Sequence, residues 1–253
     1  MTLTLKNVSK RLGGLDVVNA MSFSVRLDSL NGIIGPNGAG KSTLFAVISG
    51  FQEANAGEIT FAGTALGGLS AEKRAQFGLA RTFQVPRPFS HLTVRENLAV
   101  GAQDQVGEGV FAPFFRGAAV REQERAIFER VDGVIEFLKL GAVASQPAGR
   151  LSGGQRKLLE LGRALMMEPK FILLDEPFAG VNPVLIDEIS ERIAEANARG
   201  VGFLIVEHNL SSLARLVQRM LVMDRGRLLA DGKPDEVLED RMVQEAYMGG
   251  VVP

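Results

Sequence analysis

Gly35-Pro36-Asn37-Gly38-Ala39-Gly40-Lys41-Ser42-Thr43 is the stretch that decides the architecture. It follows the brief apolar run Asn31-Gly32-Ile33-Ile34 and leads into a helix expected from Lys41 to about Gly50. At this spacing successive backbone N–H groups point inward at phosphate oxygens. The glycines permit close approach, and the helix that follows offers its positive end. Lys41 is expected to grip the β- and γ-phosphates of a nucleotide. Ser42 is expected to offer a hydroxyl to the Mg²⁺ that bridges them.

Working outward, Phe171-Ile172-Leu173-Leu174-Asp175-Glu176 reads as a buried strand ending in two carboxylates. That placement puts Asp175 at the sheet's C-terminal edge, beside the water shell of Mg²⁺, and leaves Glu176 to polarise an attacking water. Phe203 to Val206 is a second short apolar run. Between the two runs, Ile186, Ile189 and Ile193 keep helical spacing over Leu185 to Arg199. Strand, helix, strand implies a wound α/β core. A second anion-binding helix end is expected at Leu151-Ser152-Gly153-Gly154-Gln155, ahead of a helix beginning near Arg156. One nucleotide does not need two such ends.

Residues 1 to 30 read as short alternating strands around Gly13-Gly14. From about Val85 to Leu161 the pattern turns mainly helical, with Ile127, Val131, Val134, Ile135 and Leu138 as a stripe, so this stretch reads as a helical insertion. Asp235 to Met248 reads as one peripheral helix entered after Pro234. The run Arg121 to Arg125 reads as a solvated helix face.

A formal net charge of -1 argues against the basic footprint of non-specific nucleic-acid binding. The absence of cysteine excludes disulfides, thiolate nucleophiles and cysteine-bound zinc, and two histidines make a histidine metal site a poor expectation. The apolar runs are far shorter than the ~20 residues of a membrane-spanning helix, and the N-terminus lacks the build of a secretion signal.

The Leu151 to Gln155 pentapeptide together with the Gly35 loop resembles the ATP-binding cassette (ABC) family. The resemblance implies an ATP-hydrolysing, Mg²⁺-dependent α/β domain spanning residues 1–253. That domain has a phosphate-loop NTPase core, an N-terminal antiparallel β subdomain, a helical subdomain inserted at about 85–161, and a C-terminal helix and tail at about 235–253. It further implies that Gln84, in Arg81-Thr82-Phe83-Gln84, contacts Mg²⁺ and the attacking water. His208, in Val206-Glu207-His208-Asn209, would bond the γ-phosphate and orient Glu176. Two positions depart from the family pattern. Leu12 stands where an aromatic usually stacks on adenine, so base contact falls to Leu12 and Val18 by dispersion. Asn182 stands where an aspartate commonly communicates across the dimer.

Leu79 to Gln84, His91 to Asn97 and the ending Glu245-Ala246-Tyr247-Met248-Gly249 look like the ATPase subunit of bacterial branched-chain amino-acid importers. ATPases of urea and amide importers and of lipopolysaccharide exporters are similar. The resemblance implies a peripheral subunit on the cytoplasmic face of the inner membrane. It would pair head to tail with a second ATPase, so that each ATP lies between Lys41's loop on one subunit and Ser152 to Gln155 on the other. Integral membrane permeases would be moved by the pair, and a periplasmic solute-binding protein would feed them. Phe111, Phe114 and Phe115 have two readings, a permease-docking patch or a satellite core.

Overall fold

The computed structural model of the chain describes residues 1–82, 87–103 and 117–248. Gln84, Phe111, Phe114, Phe115 and Gly249 lie outside the described residues. Two compact units result, one formed by Met1–Gln84 with Lys170–Pro253 and the other by Val85–Pro169.

The first unit begins with β1 (Thr2–Leu12), β2 (Leu15–Arg26), β3 (Leu30–Ile34), α1 (Lys41–Ile48), β4 (Ala56–Phe61), β5 (Thr64–Ala65), α2 (Ala71–Gln76) and β6 (Leu79–Arg81). The second unit holds α3 (Val94–Ala99), α4 (Gly117–Phe137) and α5 (Gly153–Leu165). The chain then returns to the first unit with β7 (Phe171–Asp175), α6 (Pro183–Ala198), β8 (Gly202–Val206), α7 (Leu210–Leu216), β9 (Arg219–Asp224), β10 (Arg227–Gly232), α8 (Pro234–Glu239) and α9 (Arg241–Met248).

Two sheets build the first unit. One is antiparallel, in the order β2-β1-β4-β5; the other runs β10-β9-β3-β8-β7-β6 and is parallel except for the β10 edge. β3, β7 and β8 are buried at every residue, as strands covered on both faces must be. α1 is buried among side chains of both sheets, with Leu44, Phe45, Val47 and Ile48 in one cluster with Leu3, Phe23, Phe171 and Val206. Its C-terminal end is closed by Arg74, itself buried, whose guanidinium donates to the carbonyls of Val47 and Ile48 and also to Leu66 and Leu69.

The first thirty residues form one long hairpin instead of several short strands. The alternation slips at Asn7 and Ala20, both of positive φ, where the β1–β2 pairing shifts register. The slip turns Val18 inward with Met21, Phe23 and Val25. At the C-terminus the single expected helix is two. Pro234 opens α8, and Asp240 takes extended backbone and receives the Met242 N–H before α9 begins.

In the second unit the α4 stripe buries Ile127, Val131 and Ile135. The expected end of the insertion at Leu161 falls inside α5, and the unit runs on to Pro169. Thr93 and Glu96 close a capping box on α3, and the Thr93 donors hold the Glu96 carboxyl below the usual carboxylate range. Asn97, fully buried, fastens the loop before that helix. Its Oδ1 accepts the Phe89 N–H at 2.9 Å, and its Nδ2 donates to Phe89 O, Leu92 O and Thr93 O at 3.1, 3.1 and 2.9 Å. Asn97→Ala should cost about 3 kcal/mol, because it strands several buried backbone groups at once. Asn97→Asp should do no better, since a carboxylate would face three carbonyls. Urea denaturation of both variants checks this.

Candidate functional site

The Gly35 loop joins β3 to α1 and is stitched into place by neighbours distant in sequence. Gly226, at the β9–β10 turn, donates to Ala39 O and accepts from Asn19 N, at 3.0 and 2.8 Å. Two glycines are demanded by close approach. A Cβ on Gly35 would sit 2.0 Å from Met223 O, and one on Gly40, at φ +100°, would sit 2.3 Å from Val17 O. α1 starts at Lys41, so the backbone N–H groups of its first turn lack partners within the helix and face the loop. Lys41 is buried, and its Nζ donates to Gly35 O at 2.7 Å and Pro36 O at 3.0 Å. Burial lowers the pKa of this ammonium, opposed first by Glu176 and then by Asp175. Ser42 is exposed and Thr43 half-buried.

Parallel pairing of β7 and β8 brings the second half of the site together. Asp175 and Val206 are register partners at the two strand ends, and Glu176 N donates to Val206 O at 2.9 Å. The loops leaving both strands therefore start side by side, and His208 Nε2 lies 3.0 Å from Glu176 Oε1. Glu176 is held at φ +50°, a left-handed conformation costing an ordinary residue about 1–2 kcal/mol. Asp175 is buried, with Oδ2 3.2 Å from Arg81 in a shielded ion pair, and its N–H donates to Thr82 Oγ1 at 3.3 Å.

Lys41, Asp175, Glu176 and His208 thus gather in the first unit around the loop. Leu12 is exposed at the end of β1, whereas Val18 is fully buried on the core side of β2; its neighbour Val17 is the half-exposed residue. Ser152 to Gln155 belong to the second unit. Ser152 N-caps α5, which starts at Gly153, ahead of the expected Arg156. The reason is a capping box, in which Ser152 Oγ accepts from Gln155 N at 3.3 Å and Gln155 Oε1 accepts from Ser152 N at 3.0 Å. Ser152 and Gly153 are exposed at this helix end, whereas Gly154 is buried, so the serine O–H and the Gly153 amide are the donors on the surface. Asn182 N-caps α6, accepting the Leu185 N–H at 3.0 Å.

Sequence reading passed over three residues at this site. Arg81 pairs with Asp175, a contact that its place in the Arg81 to Gln84 run does not reveal. Glu207, beside His208, is a buried carboxylate directly after a wholly apolar strand, which is the one signal that marked it. Tyr247 on α9, the chain's single tyrosine, has its hydroxyl beside the Gly35 N–H, and burial pushes that hydroxyl up to about 12.

The ABC transporter family model matches residues 18–179, from β2 past Glu176. The chain belongs to the ABC transporter family. A second model, branched-chain amino acid ATP-binding cassette transporter, matches residues 227–252 of this ABC ATPase. It is 39% identical to a probable branched-chain amino acid transport ATP-binding protein of Archaeoglobus fulgidus, covering 98% of this chain and 95% of that one. It is 34% identical to the lipopolysaccharide export system ATP-binding protein of Haemophilus influenzae, covering 98% and 97%. Its fold is similar to a crystal structure of a nucleotide-free ATP-binding cassette from an ABC transporter, with a TM-score of 0.85, 37% identity and coverage of 97% and 98%. The ABC ATPase fold expected from the sequence is the fold observed, and ATP is the nucleotide this family hydrolyses in coupling to transport.

Proposed function

We propose that this ABC ATPase powers a membrane importer of branched-chain or other hydrophobic amino acids. The observation that carries the solute class is the branched-chain match over residues 227–252, which takes in β10, α8 and α9. Two such ATPases would face head to tail on the cytoplasmic side of the membrane and drive a pair of permeases fed by a periplasmic solute-binding protein. A peripheral position is in keeping with the helices, none of which, among the described residues, is long and apolar enough to cross a membrane. The likeness to a lipopolysaccharide-export ATPase supports a second reading, in which the same motor drives an exporter.

Within the site, Lys41 and the loop amides hold the phosphates. Glu176 accepts a proton from the attacking water, and His208 orients Glu176 through their 3.0 Å contact. Mg²⁺ fits the donors present. Among the described residues no group of three or more His, Cys, Asp or Glu side chains is arranged to hold a metal ion by itself, but an exposed Ser42 hydroxyl and the Asp175 carboxylate supply the few hard oxygens that Mg²⁺ takes beside phosphates and water. Gln84 is the further ligand the family pattern implies. When bound, Mg²⁺ would neutralise charge on the transferred phosphate. The partner's Ser152 to Gln155 region would complete the site.

Base contact falls to Leu12 and, given the burial of Val18, to Val17. ATP and GTP should therefore bind with similar affinity, and Leu12→Tyr should strengthen ATP binding by about 1 kcal/mol by adding a ring to stack; competition titration checks both. The transport reading is tested by co-expression with the membrane permeases and assay of ATP-driven leucine, isoleucine and valine uptake in vesicles. Uptake that Lys41→Ala abolishes supports it. Recovery with a ribosomal or DNA partner instead would overturn it.

A further inference from the structure

Glu207 is almost wholly buried, at 2% exposure, one residue past β8. Its partners among the described residues are backbone amides from two loops. One carboxylate oxygen, Oε1, accepts the Phe178 N–H at 2.6 Å; the other, Oε2, accepts the His208 N–H at 3.0 Å and lies 3.5 Å from Asn209 N. Phe178 follows Glu176 by two residues, so a single side chain bridges the loop that carries Glu176 and the loop that carries His208. Burial pushes the Glu207 carboxyl up, the three amides oppose that, and the nearby Glu176 adds to the rise.

An apolar residue would end this strand at no desolvation cost, as Phe203 to Val206 continue it. A buried carboxylate is favourable here only through short, charge-assisted bonds to the two backbones. Those bonds fix the spacing of the loops just where Glu176 and His208 must meet. Glu176 is also held in a left-handed conformation that its loop does not favour by itself.

We propose that Glu207 is a positioning residue for hydrolysis, clamping the Glu176 loop to the His208 loop so that the pair stays in hydrogen-bond register. The proposal rests on the reading of Glu176 as general base and His208 as its orienting partner. Glu207→Gln cuts the clamp on one side. The carboxamide oxygen still accepts from Phe178, while its NH₂ is turned against the His208 N–H.

The test is steady-state ATPase kinetics of the full chain assembled with its membrane partners, with melting temperatures alongside. Glu207→Gln should lower kcat about tenfold, the size of loss expected when a catalytic pair is misplaced, and leave KM for ATP nearly unchanged. In a His208→Ala background the same substitution should cost less than about twofold, because the pair it positions is already gone. An unchanged kcat overturns the proposal, as does an equal loss in both backgrounds, or a raised KM with kcat retained. Should Glu207→Gln not fold, Glu207→Asp takes its place with the same expectations, being one methylene too short to reach both loops. Wild-type hydrolysis by Glu176→Gln would instead overturn the reading of the site, whatever Glu207 does.

Discussion

Glu176→Gln should abolish ATP turnover, by about a thousandfold, while leaving ATP binding nearly intact. The side chain ends 3.0 Å from His208 Nε2 at the mouth of the parallel sheet, and the amide keeps its size and its ability to accept from His208. What the amide cannot do is take a proton from water. Lys41 and the loop amides, to which the proposed function gives the phosphates, are untouched by the change, so binding and hydrolysis should separate. The Asp175–Arg81 pair also stays in place. Nucleotide titration beside phosphate-release kinetics measures the two quantities. The expected result is a trapped, ATP-bound pair with its partner ATPase, and substantial residual hydrolysis would remove Glu176 from the role of base.

Gly35→Ala should be the most disruptive single methyl in the first unit. Its Cβ would be driven to 2.0 Å from the Met223 carbonyl, and a backbone carbonyl inside a paired strand cannot rotate aside as a side chain can. The loop must leave β9 and take with it the Gly35 carbonyl that receives the Lys41 ammonium. A loss of about 3 kcal/mol in stability is expected, at the upper end for overpacking, together with weakened ATP binding. Gly38→Ala is the control. It has positive φ but open space around its Cβ, so its cost should stay near 1 kcal/mol. Denaturant melts give the stabilities. Because Tyr247 lies beside Gly35 and the chain has no tryptophan, tyrosine emission follows the loop directly.

The Gly35 loop was legible because its conformation is local: glycine spacing, a preceding apolar run and a following helix lie within twenty residues. The same holds for the Ser152 capping box, although its start was read three residues late because the glycines of Gly153-Gly154 look like loop. Val18, expected against the base from the family pattern, is instead turned into the core, because the irregular β1–β2 register near Ala20 is set by pairing that a family pattern does not register. Asp240 split the C-terminal helix because a short polar side chain competes for a nearby backbone amide, a choice periodicity cannot register.

A glycine-rich loop that opens a helix within a wound α/β core was readable from the residues alone. Those features depend on residues a few positions apart. Only the tertiary structure decided which distant groups meet. The pairing of Asp175 with Val206 sets Glu176 against His208, Arg81 reaches Asp175 across the sheet, and Glu207 spans two loops. The physical reason is that a parallel register is set by how buried strands pack against their neighbours. Strands apolar on both faces leave no alternating pattern from which that register could be read.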